Sequence, residues 1–291
     1  MHRRDVLRSA LWGASALALG PITALAAEGD PLVLRLQALE RRHGGRLGVS
    51  VLDTGSGKRL SHRGDERFLM CSTFKLLAVA AVLARVDQGA ERLDRPVIYG
   101  ADVLLNYAPV TQRHVGPPGL HVEALCEAAI ALSDNTAANL LLTSLGGPAA
   151  VTAFVRRLGD PLTRLDRTEP QLNVGAPGDV RDTTTPDAML DTMRALLVDG
   201  DALSDRSRVR LLGWLRACST GAQKLRAGLP AGWTAGDKTG SGSQGESNDV
   251  AIVFPPQRKP LLVTAYYAGS SADADGRNAV LAEVGRIASL L

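Results

Sequence analysis

Three short motifs in this chain hold reactive side chains at defined spacings. Ser72 and Lys75, in Cys71-Ser72-Thr73-Phe74-Lys75, stand at i and i+3 at the start of an apolar helical run, and so share one helix face, one turn apart. A lysine in that place can hold the serine Oγ in a hydrogen bond and, once its own proton is lost, take the serine's proton. Weak hydroxyl nucleophiles are activated in this way. Ser133-Asp134-Asn135 lies between two helical runs, Lys238-Thr239-Gly240 ends a strand-like segment, and Glu169-Pro170-Gln171-Leu172-Asn173 adds a carboxylate in a long irregular stretch. An S-x-x-K is expected about once by chance in a chain of this size. The two triplets together are a chance event on the order of one in a thousand.

Each residue also has an ordinary reading. Ser133 is a good helix N-cap, Glu169 a solvated loop acid, Tyr107 a packing aromatic, and Lys238-Thr239-Gly240 a strand end with a turn glycine. None of these readings explains why the motifs occur together and in this order.

The elements that must position these groups follow from periodicity. Residues 31–43 carry Leu32, Leu36 and Leu39 on one helical face, with Gly44-Gly45 as a stop. Residues 46–53 alternate as a strand, turn through Thr54-Gly55-Ser56-Gly57 and return through Leu60. The Gly-Ser-Gly-Lys there lacks phosphate-loop spacing. Residues 72–88 are apolar nearly all round, the mark of a central helix. Further helices are predicted over 122–132, 136–145, 149–158, 186–198 and 204–217, with an irregular Pro- and Gly-containing segment over 164–182. Strands are predicted over 233–238, 249–254 and 261–268, and a closing helix over 275–291. Two N-terminal strands cannot form a stable sheet alone. The strand-rich ends, 27–64 and 219–291, are therefore expected to join in one antiparallel five-stranded sheet flanked by the terminal helices. The result is an α/β (α+β) protein with a helical domain, 65–218, inserted and a cleft between the two parts.

Arg3 and Arg4, the apolar run from Ala10 to Leu19 and the Ala24-Leu25-Ala26 site read as a twin-arginine leader over 1–26, and imply a periplasmic mature protein. Without that leader, 30 basic and 29 acidic residues leave a formal charge of +1. No basic stripe with interleaved aromatics remains for nucleic acid, and no membrane association is expected once the leader is gone. Cys71, Cys126 and Cys218 cannot all pair within one chain, and neither they nor His43, His62, His114 and His121 show metal-ligand spacing. Neither metal nor organic cofactor is expected.

With its motifs in this order, the chain resembles the class A serine β-lactamases over essentially all of its mature length. The S-x-x-K, S-D-N and K-T-G set with a deacylating glutamate is a signature of that class and of the penicillin-binding proteins. Also matching are Asn106-Tyr107-Ala108-Pro109, Arg164-Leu165-Asp166-Arg167-Thr168-Glu169-Pro170, Arg181-Asp182-Thr183-Thr184 and Leu229-Pro230-Ala231-Gly232-Trp233. Residues 164–182 then correspond to the family's Ω-loop.

The resemblance implies a monomer acting on β-lactams, with Ser72 as nucleophile and Lys75 as proton acceptor or electrostatic aid. Ser133 would relay a proton to the departing lactam nitrogen, and Glu169, helped by Asn173, would activate the deacylating water. It also implies that the backbone N–H groups of Ser72 and Ser241 form an oxyanion hole. Lys238, Thr239 and Ser241 would bind the substrate carboxylate in the K-T-G strand beside Gly240. Asn135 would take the side-chain amide, and Tyr107 would form a cleft wall.

Two departures from the family pattern stand out. Where many members carry a carboxylate-gripping arginine next to the K-T-G strand, this chain has Ser247, and at an alternative arginine position it has Lys224. In carbapenem-hydrolysing members, the position of Cys71 is disulfide-bonded to the one held here by Gly242, which implies poor carbapenem turnover. Two rivals use the same scaffold: a D,D-peptidase that stays acylated by penicillin, and a catalytically dead binding protein. A Ser-His-Asp hydrolase is disfavoured, since no G-x-S-x-G occurs.

Overall fold

The computed structural model describes residues 30–176 and 178–291; the leader assigned to 1–26 lies outside the described residues. Helix α1 (Pro31–His43) starts where Asp30 accepts from Leu32 N at 2.8 Å, and it stops at Gly44, whose φ is +67°. Strands β1 (Arg46–Asp53) and β2 (Arg59–His62) form the predicted hairpin, with Asp53 accepting from Gly55 N at 2.8 Å inside the turn. The middle of the chain supplies β3 (Phe68–Leu69), α2 (Phe74–Asp87), β4 (Pro96–Val97), β5 (Leu120–His121), α3 (Val122–Ala131), α4 (Asn135–Leu145) and α5 (Pro148–Arg157). After the Ω-like segment come β6 (Thr183–Thr184), α6 (Pro186–Arg194) and α7 (Asp205–Arg216). The chain closes with β7 (Thr234–Ser241), β8 (Ser247–Phe254), β9 (Leu261–Ala268) and α8 (Ala274–Ala288).

The five-stranded sheet has the order β2-β1-β9-β8-β7 and is antiparallel throughout. Its first and last strands in sequence are direct neighbours, with Val49 opposite Ala265. The two ends of the chain therefore meet in one sheet, as expected. Each face is buried. Leu36 and Leu39 of α1 and Leu281 and Val284 of α8 pack on Val49, Val51 and Val263. The other face, including Leu52, Val250, Ile252 and Tyr266, joins the core of α2, α3, α4 and α6. Burial on both sides explains why residues 250–254 of β8 and most of β9 read as near-continuous apolar runs and not as alternation. Every residue of α2 from Phe74 to Ala84 is buried, which accounts for its apolar circumference.

Three local features differ from the sequence expectation. Ser72 does not begin the α-helix; it sits in a 3-10 turn, Cys71–Thr73, that leads into α2. The predicted helix over 186–198 ends its regular part at Arg194 and finishes in a π turn, Ala195–Asp199. Lys238-Thr239-Gly240 lies inside β7, not at its end, because pairing with β8 continues to Ser241 opposite Ser247.

Candidate active site

The nucleophile turn is held from three directions. Pairing of Phe68 with Thr184 and of Leu69 with Thr183 ties the segment before it to the end of the Ω-like loop. Met70 N donates to Asp182 O at 2.9 Å. Asn248, the second residue of β8, donates its Nδ2 to Leu69 O at 2.9 Å and to Met70 O at 3.1 Å. Cys71 adopts φ +46°, a left-handed conformation rare for a side-chain-bearing residue. Such backbone persists where its surroundings over-determine it, and here it sets the direction of Ser72. β7 passes so close that a Cβ on Gly240 would lie 2.8 Å from Met70 O and 3.2 Å from Cys71 Cβ. Only glycine fits that approach.

Ser72, Lys75, Ser133 and Glu169 converge. Lys75 Nζ donates to Ser72 Oγ at 3.0 Å, Ser133 O at 2.9 Å, Ser133 Oγ at 3.3 Å and Asn135 Oδ1 at 2.6 Å. It also lies 3.1 Å from Glu169 Oε1, with both side chains fully buried. Ser72 Oγ donates to the same Glu169 oxygen at 3.3 Å, and Asn173 Nδ2 reaches Glu169 Oε2 at 2.5 Å. From the other side Lys238 Nζ donates to Ser133 Oγ at 3.1 Å. Ser133 Oγ thus lies between two lysines.

Burial pushes the Lys75 ammonium below its ordinary value, while the Glu169 and Asp134 carboxylates oppose the shift. Burial, reinforced by the charge of Lys75, brings Lys238 down to about 8. Burial that disfavours the charged form makes a lysine a better proton acceptor near neutral pH.

Ser133, with φ +58°, is not the cap of α4. Asp134 is: its Oδ1 accepts from Ala137 N at 2.8 Å. The same fully buried carboxylate accepts from Val110 N, Thr111 N and Thr111 Oγ1, and Asn135 N donates to Tyr107 O at 3.0 Å. Capping is thus one part of a clamp that fixes the Tyr107 segment over the cleft. Glu169 is positioned in a similar way. Asn139, one turn beyond Asn135 on α4, donates to Glu169 O at 2.9 Å and accepts from Glu169 N at 3.0 Å. The loop ends are stapled by Asp182, fully buried, which accepts from Arg167 Nε at 2.5 Å, Asp166 N at 2.7 Å and Arg167 N at 2.9 Å.

A cavity of about 330 Å³ opens over these groups, lined by Ser72, Tyr107, Ser133, Asn135, Asn173, Thr220, Lys224, Thr239, Gly240 and Ser241. Lys75, Glu169 and Lys238 lie buried beneath it. A larger opening of about 590 Å³ between Arg46, Arg67, Leu69 and Asp179 holds no nucleophile–base pair, so chemistry rather than volume places the site. Lys224 is buried and donates to Ser247 Oγ, which brings together the two positions where the sequence departs from the family. Cys71 is a free, buried thiol, and a Cβ on Gly242 would lie 3.1 Å from its Sγ.

Sequence reasoning missed Asn139, Asn248 and Thr220, whose Oγ1 lies 2.5 Å from Thr239 Oγ1. Asn248 carried one signal, an amide in the polar start, Ser247-Asn248-Asp249, of a strand that is buried and apolar from Val250 on. Such a group needs partners.

A serine–lysine pair, a second serine between two lysines and a carboxylate on an amide define a serine acyl-transfer site. Residues 31–290 match the β-lactamase enzyme family. The chain is 44% identical to β-lactamase CTX-M-25 of Escherichia coli over 288 residues, 99% of this chain and 98% of that one. It is 48% identical to a β-lactamase of Streptomyces lavendulae, covering 97% and 94%. Among solved structures, an ancestral class A β-lactamase superposes with a TM-score of 0.86 at 62% identity, covering 88% of this chain and 98% of that one. A putative class A β-lactamase from Rhodopseudomonas palustris gives 0.86 at 55%, covering 89% and 98%. The chain belongs to the class A serine β-lactamases, hydrolases that confer antibiotic resistance.

Proposed function

We propose that this enzyme opens the ring of penicillins and cephalosporins through an ester on Ser72 and releases the product with water activated by Glu169. The observation that carries the reading is Ser72 Oγ held between Lys75 Nζ at 3.0 Å and Glu169 Oε1 at 3.3 Å. Lys75, its basicity tuned by burial, takes the Ser72 proton or stabilises its transfer to Glu169. Ser72 Oγ then attacks the lactam carbonyl, and the backbone N–H groups of Ser72 and Ser241 stabilise the developing oxyanion. Ser133 donates its proton to the departing nitrogen and is resupplied from Lys75 or Lys238, both within 3.3 Å of its Oγ. Asn135 holds the substrate amide, Tyr107 flanks it, and Lys238, Thr239, Ser241 and Lys224 hold the ring carboxylate.

Deacylation needs a base within hydrogen-bond reach of a water on the ester. Glu169 is suited to this, and Asn173 Oδ1, buried without a hydrogen-bond partner among the described residues, is available to orient that water. With Gly242 opposite Cys71 no bridge can form, and carbapenem turnover is expected to be poor.

The same reading carries a monomer exported by the 1–26 leader, with a sheet domain over 27–64 and 219–291 and a helical domain over 65–218. Purified enzyme with a chromogenic cephalosporin separates this reading from its rivals. Continuous turnover supports it, while a stoichiometric burst points to a D,D-peptidase and no reaction to a binding protein.

A further inference from the structure

The oxyanion hole assigned to Ser72 and Ser241 is made from two separate pieces of chain. The first hydrogen bond of the 3-10 turn runs from Thr73 N to Met70 O at 3.2 Å, so the Ser72 N–H precedes it and the turn leaves that group free. On the other side, Gly242 N donates to Glu246 O at 3.1 Å. N–H groups alternate in direction along an antiparallel strand, so that of Ser241 turns away from β8. β7 is the last strand of the sheet, and its open edge borders the cleft. One donor therefore belongs to the nucleophile turn and the other to the sheet.

Asn248 joins the two pieces. Its amide, buried with the residue only 1% exposed, donates to Leu69 O and Met70 O. Among the described residues, these are the only hydrogen bonds between β7 or β8 and residues 68–73. Carbonyl oxygens only accept, so the atom that faces them is the amide nitrogen. The strand register sets Asn248 opposite Gly240, one residue before Ser241. A Cβ on Gly240 would lie 3.3 Å from Asn248 Nδ2 and 2.8 Å from Met70 O. The bare glycine lets the turn come within reach of the amide.

We propose that Asn248 is a positioning residue for the oxyanion hole: its amide sets the separation of the Ser72 and Ser241 N–H groups, and with it the speed of both acylation and deacylation. Each step passes through a tetrahedral oxyanion that must fit between the same two donors. Displacing a reacting group by about 1 Å costs on the order of a hundredfold in rate. The role rests on the β-lactam reading above. Loss of Glu169 lets the ester accumulate, whereas a distorted hole slows its formation as well.

The test is Asn248→Ala with benzylpenicillin in rapid-mixing kinetics, well below the melting temperature, with phenylboronic acid as a second probe. Boron accepts Ser72 Oγ and carries a hydroxyl where the oxyanion forms, so its affinity reports on the hole without turnover. The acylation and deacylation rate constants are expected to fall together, by about tenfold to a hundredfold. The Kd of the boronic acid is expected to rise by a comparable factor, while that of the initial, non-covalent penicillin complex changes little. Should Asn248→Ala not fold, Asn248→Ser, whose hydroxyl is one bond shorter than the amide, is expected to show the same pattern. A lowered melting temperature with unchanged rate constants and boronic acid affinity would mean that Asn248 serves stability alone, and overturns the proposal. A fall confined to one of the two steps overturns it too. A wild-type enzyme that benzylpenicillin does not acylate overturns the β-lactam reading and the role of Asn248 with it.

Discussion

Two buried ionic clusters flank the cleft, and they are satisfied to different degrees. Around the nucleophile, the Lys75 ammonium, the Glu169 carboxylate and both serine hydroxyls have partners within 3.3 Å. In the corner under Lys224, both carboxylate oxygens of Asp237 and the Oδ1 of Asp249 are buried without a hydrogen bond among the described residues, although Asp237 is ion-paired with Arg226. A fully connected polar network rigidifies its members, whereas a partly connected one stores unfavourable energy. The nucleophile cluster is thus preset for reaction, whereas the corner keeps buried carboxylate oxygens whose cost the surrounding protein does not meet.

The comparison breaks most visibly on the satisfied side. Asp182 holds the loop that carries Glu169, and Asp182→Asn leaves Arg167 without its counter-charge. Losing one member of a buried pair costs up to about 3–5 kcal/mol, and the Arg167 side chain, 21% exposed, places the expected loss at the lower end. Thermal unfolding is expected to show that loss together with altered substrate preference. A wild-type melting temperature with unchanged kinetics would refute the staple.

Asn139→Ala is expected to cost about 1–3 kcal/mol, because it removes two hydrogen bonds to the Glu169 backbone and strands both groups. If the clamp positions Glu169, the deacylation rate falls more than the acylation rate in stopped-flow measurements. Equal losses would mean that the clamp serves stability alone.

On the unsatisfied side the expected effect is smaller and opposite in sign. Burial and the neighbouring Asp237 raise the Asp249 carboxyl well above its ordinary value, with Lys224 opposing. A carboxyl with a raised folded-state value favours the folded state fully only below its unfolded value, and that contribution is lost as pH rises toward the folded one. Asp249→Asn, uncharged at every pH, escapes this loss. Its stability relative to wild type should rise from pH 3 to pH 7 in thermal unfolding. A relative stability that falls over that range would show that Asp249 is a well-paired anion and that the corner is not strained.

Much of this was legible in the sequence, for identifiable reasons. Strand β1 announces itself by alternation and β9 by an apolar run, each bounded by turns. The reactive residues are legible because Ser72 and Lys75 lie within one turn, and the triplets are contiguous. What escaped is non-local or very short. Two-residue strands such as Phe68–Leu69 carry no period. The 3-10 turn at Ser72 depends on a left-handed Cys71 that no local residue preference predicts. Asn139 and Asn248 act on backbone 30 and 178 or more residues away in the chain; their roles appear only once the fold brings those segments together. The capping role open to Ser133 went to Asp134, since the left-handed turn at Ser133 aims its hydroxyl at the two lysines.

The central claim is that Glu169 serves deacylation of an ester on Ser72, and Glu169→Ala with a penicillin tests it most directly. Loss of a general base slows the step it serves by about 10²–10⁴-fold, while Lys75 and Ser133 remain to form the ester. Intact-protein mass spectrometry of the variant after mixing is expected to show one whole penicillin mass on the enzyme, persisting long after wild type has cleared its own. Turnover of the variant at the wild-type rate, or a wild-type enzyme that itself stays acylated, would contradict the mechanism.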